Sequence, residues 1–193
     1  PPQPTQLVPA IASNGTDYLA VCHYSETTAT EIYAARISQA GGAATAVALS
    51  SGPAVEASPA VAYGDGTYMV SWLEGTAVRA RTVSPTGTPG TPFSIATTAT
   101  TKAGPRLANG GGTSWLAVWS ESTDVRGQRF STAGATQGGS IAVSAATGAQ
   151  SSPDLAGTGA GWLAVWQDSR SGGPEIYGAR VDGTGTVNAS DAN

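Results

Sequence analysis

The apolar positions of this chain fall into short runs that recur. WLAVW at 162–166 returns as WLAVW at 115–119, YMVSW at 68–72 and YLAVC at 18–22, a period of 47 to 50 residues. A Pro-x-aliphatic-Ala phrase precedes each run, at Pro9, Pro59, Pro105 and Pro153. An aliphatic-x-small phrase follows each, led by Ile32, Val78, Val125 and Ile176, and then comes a glycine at 41, 87, 134 and 185. The Pro phrase reads as the start of a first strand. Gly-rich segments (13–17, 64–67, 109–114, 157–161) supply the reversal into a second. In that second strand Trp162, Ala164 and Trp166 point one way and Leu163 and Val165 the other. Both faces are apolar, which predicts a strand covered on both sides. The phrase at Ile176 and its counterparts predicts a third strand, and AVALS (46–50), FSIAT (93–97) and SIAVS (140–144) a fourth. No stretch shows a helical period.

Four strands per unit of about 47 residues is the arithmetic of a propeller blade. The expected fold is an all-β, four-blade β-propeller; the alternative is half of a larger propeller ring completed by a second chain. Residues 1–8 form a Pro-rich lead-in and 9–193 a single body, with units starting near 9, 59, 105 and 153. Trp72, Trp119 and Trp166 fill the wedge between blades, with Cys22 in the same column of the first unit as a buried small residue. The fourth unit lacks a full fourth strand. This predicts an unpaired blade edge near Ile176 to Val181, open to self-association or to continuation in a longer parent protein.

Composition narrows the function classes. Charged residues are 11% of the chain, with one lysine (Lys102) and a formal net charge of −4. That pattern does not suit nucleic acid, whose phosphates demand clustered cations, and no apolar run is long enough for membrane insertion. The lone Cys22 forms no internal disulfide. Scarce lysine with abundant Ala, Thr, Gly and Ser suits a secreted, extracellular protein.

The segment 162–185, WLAVWQDSRSGGPEIYGARVDGTG, resembles the W-x-x-V-W-x-D-x-R-x-G and I-Y-G-x-R-V repeats of secreted bacterial surface proteins of propeller type. The likeness is tight in the fourth unit and fades toward the first. It implies an extracellular, non-enzymatic binding propeller on the cell surface, lectin-like or recognising a surface protein. One alternative is a structural subunit of a surface layer or filament that assembles through blade edges. A glycan-active hydrolase is the more distant one.

Three sets of residues are candidates for chemistry. An acidic column (Glu74, Glu121, Asp168) ends the second strand, and an arginine column (Arg36, Arg129, Arg180) lies on the third. The two are expected to pair within each blade, or to form one ligand pocket per blade, while Tyr33, Tyr177, Arg79 and Arg126 share a third-strand column as a candidate ligand-contact surface. Arg106 and Asp154 replace alanine on the inner strand and are expected to meet at the central channel. His23 alone cannot build a zinc site, and the acids lack the density of a calcium loop. No metal or cofactor is expected, and no acid–base set stands out as catalytic.

Overall fold

The structure is a computed structural model that describes residues 5–25, 30–42 and 45–188. Sixteen strands in chain order form four antiparallel sheets. The first blade holds β1 (Thr5–Ser13), β2 (Tyr18–Ser25), β3 (Thr30–Ile37) and β4 (Val47–Ala48). The second holds β5 (Glu56–Gly64), β6 (Thr67–Glu74), β7 (Ala77–Val83) and β8 (Phe93–Ala96). The third holds β9 (Lys102–Gly111), β10 (Ser114–Glu121), β11 (Asp124–Ser131) and β12 (Thr136–Ser144). The fourth holds β13 (Gln150–Gly157), β14 (Gly161–Asp168), β15 (Glu175–Asp182) and β16 (Val187–Asn188). Each blade runs in simple sequence order, and the first strands of successive blades adjoin one another about the inner axis. The fold is the four-blade propeller the repeat predicts.

The Pro phrases do a different job from the one expected. The inner strands begin three or four residues before the prolines, and the register of each slips close to its proline. The residue before each proline has positive φ: Val8 51°, Ser58 53°, Gly104 54° and Ser152 51°. This is a β-bulge repeated four times, a place where a ladder N–H is dispensable and proline costs little. At the other end of β5, the two-residue turn Asp65–Gly66 has φ of 49° and 69°, the type I′ geometry that matches strand twist.

Packing occurs between blades. Tyr68, Val70 and Trp72 of the second blade lie on Leu19, Val21, Ile32 and Ala34 of the first. Trp115, Ala117, Trp119 and Phe130 of the third lie on Met69, Val78 and Ala80 of the second. Trp162, Ala164 and Trp166 of the fourth lie on Leu116, Val118 and Val125 of the third. Trp72, Trp119 and Trp166 are therefore buried wedges. No hydrophobic cluster joins the first blade to the fourth among the described residues.

That open junction corrects two expectations. β14 is covered on one side only, so Leu163 and Val165 are exposed where the alternation had implied burial. Cys22 is half-buried, because no blade packs over it as one does over Trp72, Trp119 and Trp166 in the second, third and fourth blades. The expected bare edge of the fourth blade is also partly covered. Val187 and Asn188 pair with Val181 and Arg180, so the chain supplies a short fourth strand itself.

Removing a wedge should be costly, and trimming the open face should not be. Trp72→Ala is expected to lose about 3–5 kcal/mol, while Ile176→Ala, on an exposed position, stays within about 0.5 kcal/mol of wild type. Denaturant unfolding at low protein concentration checks this. Equal losses would contradict the interblade account.

Candidate functional site

The acidic column has a structural task that the sequence did not reveal. The Trp119 Nε1–H donates to Glu121 Oε2 at 2.8 Å, and the Trp166 Nε1–H to Asp168 Oδ2 at 2.9 Å. Each acid satisfies the indole N–H of the tryptophan two residues earlier, a group that would otherwise be buried unpaired. In the second blade Trp72 Nε1 has no partner among the described residues, and Glu74 turns to Arg79 at 3.7 Å.

The acid and arginine columns do not meet. Strand register puts the acids at the turn between second and third strands, with Glu121 opposite Asp124 and Asp168 opposite Glu175. Arg36, Arg129 and Arg180 pair opposite Leu19, Leu116 and Leu163 near the far end of the same strands. Arg36 instead binds Asp17 at 2.5 Å, and Arg129 donates to the Thr184 carbonyl at 2.5 Å. Arg180 is exposed. The expected intrablade pairing of these columns, and a pocket per blade built on it, therefore give way to two separate rims.

Asp168 is the most constrained of the acids. It is fully buried and accepts from Arg170 Nη2 at 2.5 Å, from the Arg170 backbone N–H at 2.9 Å and from Trp166. The Arg170 side chain foremost holds its carboxyl down to about 2. The Arg170 guanidinium lies 4.2 Å above the Tyr177 ring. The Asp-x-Arg loop is thus a brace. Tyr33 is half-buried against Tyr24, with ring centroids 5.1 Å apart, and its hydroxyl donates to Glu31. Arg106 and Asp154 do approach each other on adjoining inner strands, at 4.0 Å, as an exposed pair. Such pairs contribute little to stability, about 0–1 kcal/mol.

Sequence reading missed a buried polar column at the head of the inner strands: Glu56, Lys102 and Gln150. Lys102 Nζ donates to the carbonyls of Thr76, Thr98 and Thr100, and Gln150 Nε2 to those of Ala146 and Gly148. Glu56 accepts from the Ser50 hydroxyl, which accepts in turn from the Ile32 N–H. These side chains tie down the segment linking one blade to the next. Burial foremost, and the nearby Glu74 charge, push the Glu56 carboxyl up to about 7. The signal was present as a polar residue three before each proline, at 6, 56, 102 and 150.

One cleft brings titratable groups to an accessible surface. A concavity of about 480 Å³ opens between the second and third blades, lined by Trp119, Glu121, Asp124, Arg126, Gln128 and Thr98 among others. Asp124 Oδ2 accepts from Arg126 Nη2 at 2.8 Å. Glu121 Oε1 accepts from the Thr98 hydroxyl at 3.3 Å. Residues directly opposite in an antiparallel pair have Cβ atoms about 4.5–5.5 Å apart, so the two carboxylates share one face. Glu121, Arg126 and Trp119 stand out from sequence, each for another role; Asp124 and Gln128 complete the cleft. No group of three or more metal-ligating side chains occurs among the described residues, and no described helix is long and apolar enough to cross a membrane.

No protein-family model and no curated protein matches the sequence. Solved structures do. An α-L-arabinofuranosidase from Podospora anserina, in complex with cellotriose, aligns at a TM-score of 0.60 and 10% identity over 97% of this chain and 69% of its own. An endo-arabinanase from Bacillus licheniformis aligns at 0.60 and 13%, over 95% of this chain and 76% of its own. A Hadza microbial sialidase aligns at 0.65 and 11%, over 97% of this chain and 47% of its own. At such identity the likeness establishes the fold. These neighbours are glycosidases, which runs against the expectation of a non-enzymatic recognition propeller.

The buried carboxyls make opposite pH contributions. Glu56 has a raised folded-state value, so its contribution is complete below its ordinary 4.5 and is lost as pH rises through about 7. Asp168 has a depressed one, so its contribution is present above its ordinary 3.8 and is lost as pH falls through about 2. Thermal unfolding of wild type should therefore show Tm falling from pH 5 to 7.5, and Glu56→Gln should flatten that fall. An unchanged slope in the variant would show that Glu56 is not its source.

Proposed function

We propose that the chain is a glycan-active hydrolase with its reacting groups in the cleft between the second and third blades. The observation that carries this reading is the opposed pair Glu121 and Asp124, two partly exposed carboxylates on one face of an open concavity. Retaining glycosidases work through two neighbouring carboxyls, and Glu121 and Asp124 stand directly opposite each other on paired strands. The equivalent pair in the fourth blade is unsuited, since Asp168 is buried under Arg170. In the second blade Ala77 stands where Asp124 would be.

Asp124, beside the Arg126 guanidinium, is assigned as the nucleophile. Its oxygen bonds to the anomeric carbon as the bond to the leaving oxygen breaks, and Glu121 gives that oxygen its proton. Water then attacks the glycosyl–Asp124 ester and returns a proton to Glu121. Trp119 and Thr98 aim Glu121. Lys102 fixes the wall that carries Thr98 and Thr100. Arg126, Gln128 and the threonine hydroxyls offer polar contacts to sugar hydroxyls. The glycosidases that share the fold support a saccharide substrate, and secretion and kinship with bacterial surface propellers belong to this same proposal.

The test is release of reducing sugar from a panel of arabinan, arabinoxylan and sialylated glycans. Wild type is expected to hydrolyse at least one of them, with Glu121→Gln and Asp124→Asn each losing about 100-fold or more at an unchanged Tm. Inactivity of the wild type on the panel, or full activity in both variants, would overturn the assignment.

A further inference from the structure

The two uncovered faces of the arc are the two halves of the contact that the chain makes three times internally. On the fourth blade, Ile176 is 67% exposed, whereas its counterparts Ile32, Val78 and Val125 are each 0% exposed. Leu163 and Val165 are exposed beside it, and their counterparts Leu116 and Val118 are buried beneath Trp162 and Trp166. On the first blade the opposite kind of face is bare. Ile11 is 60% exposed against 6% for Leu107 at the matching inner-strand position. Tyr18 is exposed where Tyr68, Trp115 and Trp162 are buried, and Cys22 is half-buried where tryptophans are enclosed. A concavity of about 440 Å³ opens on this face, lined by Pro9, Ala20, Cys22, Tyr24 and Tyr33 among others.

We propose that a second copy of this chain covers these faces, the fourth blade of one molecule seating on the first blade of the other. The chain itself identifies the occupant. Three times over, a face bearing the Leu163–Val165–Ile176 positions is covered by one bearing the Tyr18–Ala20–Cys22 positions. The first and fourth blades carry the two unused members of that pair. The contact is head-to-tail, so it leaves no free face only when it closes, and two copies joined twice make a ring of eight blades. Cys22 stands where the internal interfaces place a tryptophan, and the hollow beside it accommodates Leu163 and Ile176 as the protruding side chains. The blade face drives this association. The outer edge contributes little, being partly covered by β16.

Sedimentation velocity distinguishes the outcomes, using Ile176→Asp and Ile11→Asp, each on an exposed position and so compatible with the fold. Wild type is expected as a species of two copies at high-micromolar concentration. Each variant alone is expected as a monomer with wild-type circular dichroism. An equimolar mixture of the two variants is expected to recover the two-copy mass, because one intact head-to-tail contact remains. A monomeric wild type, a species larger than two copies, or a mixture that stays monomeric would overturn the proposal.

Discussion

A blade in this molecule carries apolar residues on both faces, so it buries them fully only between two neighbours. Everything else in the fold follows from that constraint. The second strand carries it, with a large aromatic column facing one neighbour and an aliphatic column facing the other. Burying one such aromatic side chain contributes a few kcal/mol, a large share of the roughly 5–15 kcal/mol by which a domain of this size is stable. The polar residues are arranged in support of it. Glu121 and Asp168 satisfy indole N–H groups, and Glu56, Lys102 and Gln150 hold the segments that lead from one blade to the next.

The same constraint separates what was legible in the sequence from what was not. The period, the four strands per unit and the tryptophan wedges could be read directly, because burial between identical units repeats identical residues. The bulges were not legible. A proline marks an interruption of the ladder, but whether a strand starts there or bends there depends on residues before it that carry no apolar pattern. Nor could the pattern say which faces lacked a neighbour: Leu163 and Leu116 sit in the same sequence context, and only the third blade's leucine has a blade packed over it.

The site was half visible. Glu121 stood out as a member of an acidic column, and that column suggested arginine partners on the third strand. Register separates the two by the length of the strand, and the acids turn to tryptophan instead. Asp124 escaped notice because its counterparts are Glu31, Ala77 and Glu175, so it does not repeat as a clear column. A function carried by one blade of four is the kind of signal that a repeat conceals. The proposed hydrolysis rests on Glu121 and Asp124, which stand opposite each other in the third blade.

The central claim is that an uncovered blade face demands a neighbour, and Cys22 reports on it directly. It is the single cysteine of the chain and lies in the hollow of the first blade's open face. The measurement is its alkylation rate by a small thiol reagent as protein concentration is raised. The expected result is progressive protection in wild type and none in Ile176→Asp, whose fourth-blade face no longer seats. A rate that is independent of concentration and equal in the two proteins would contradict the account.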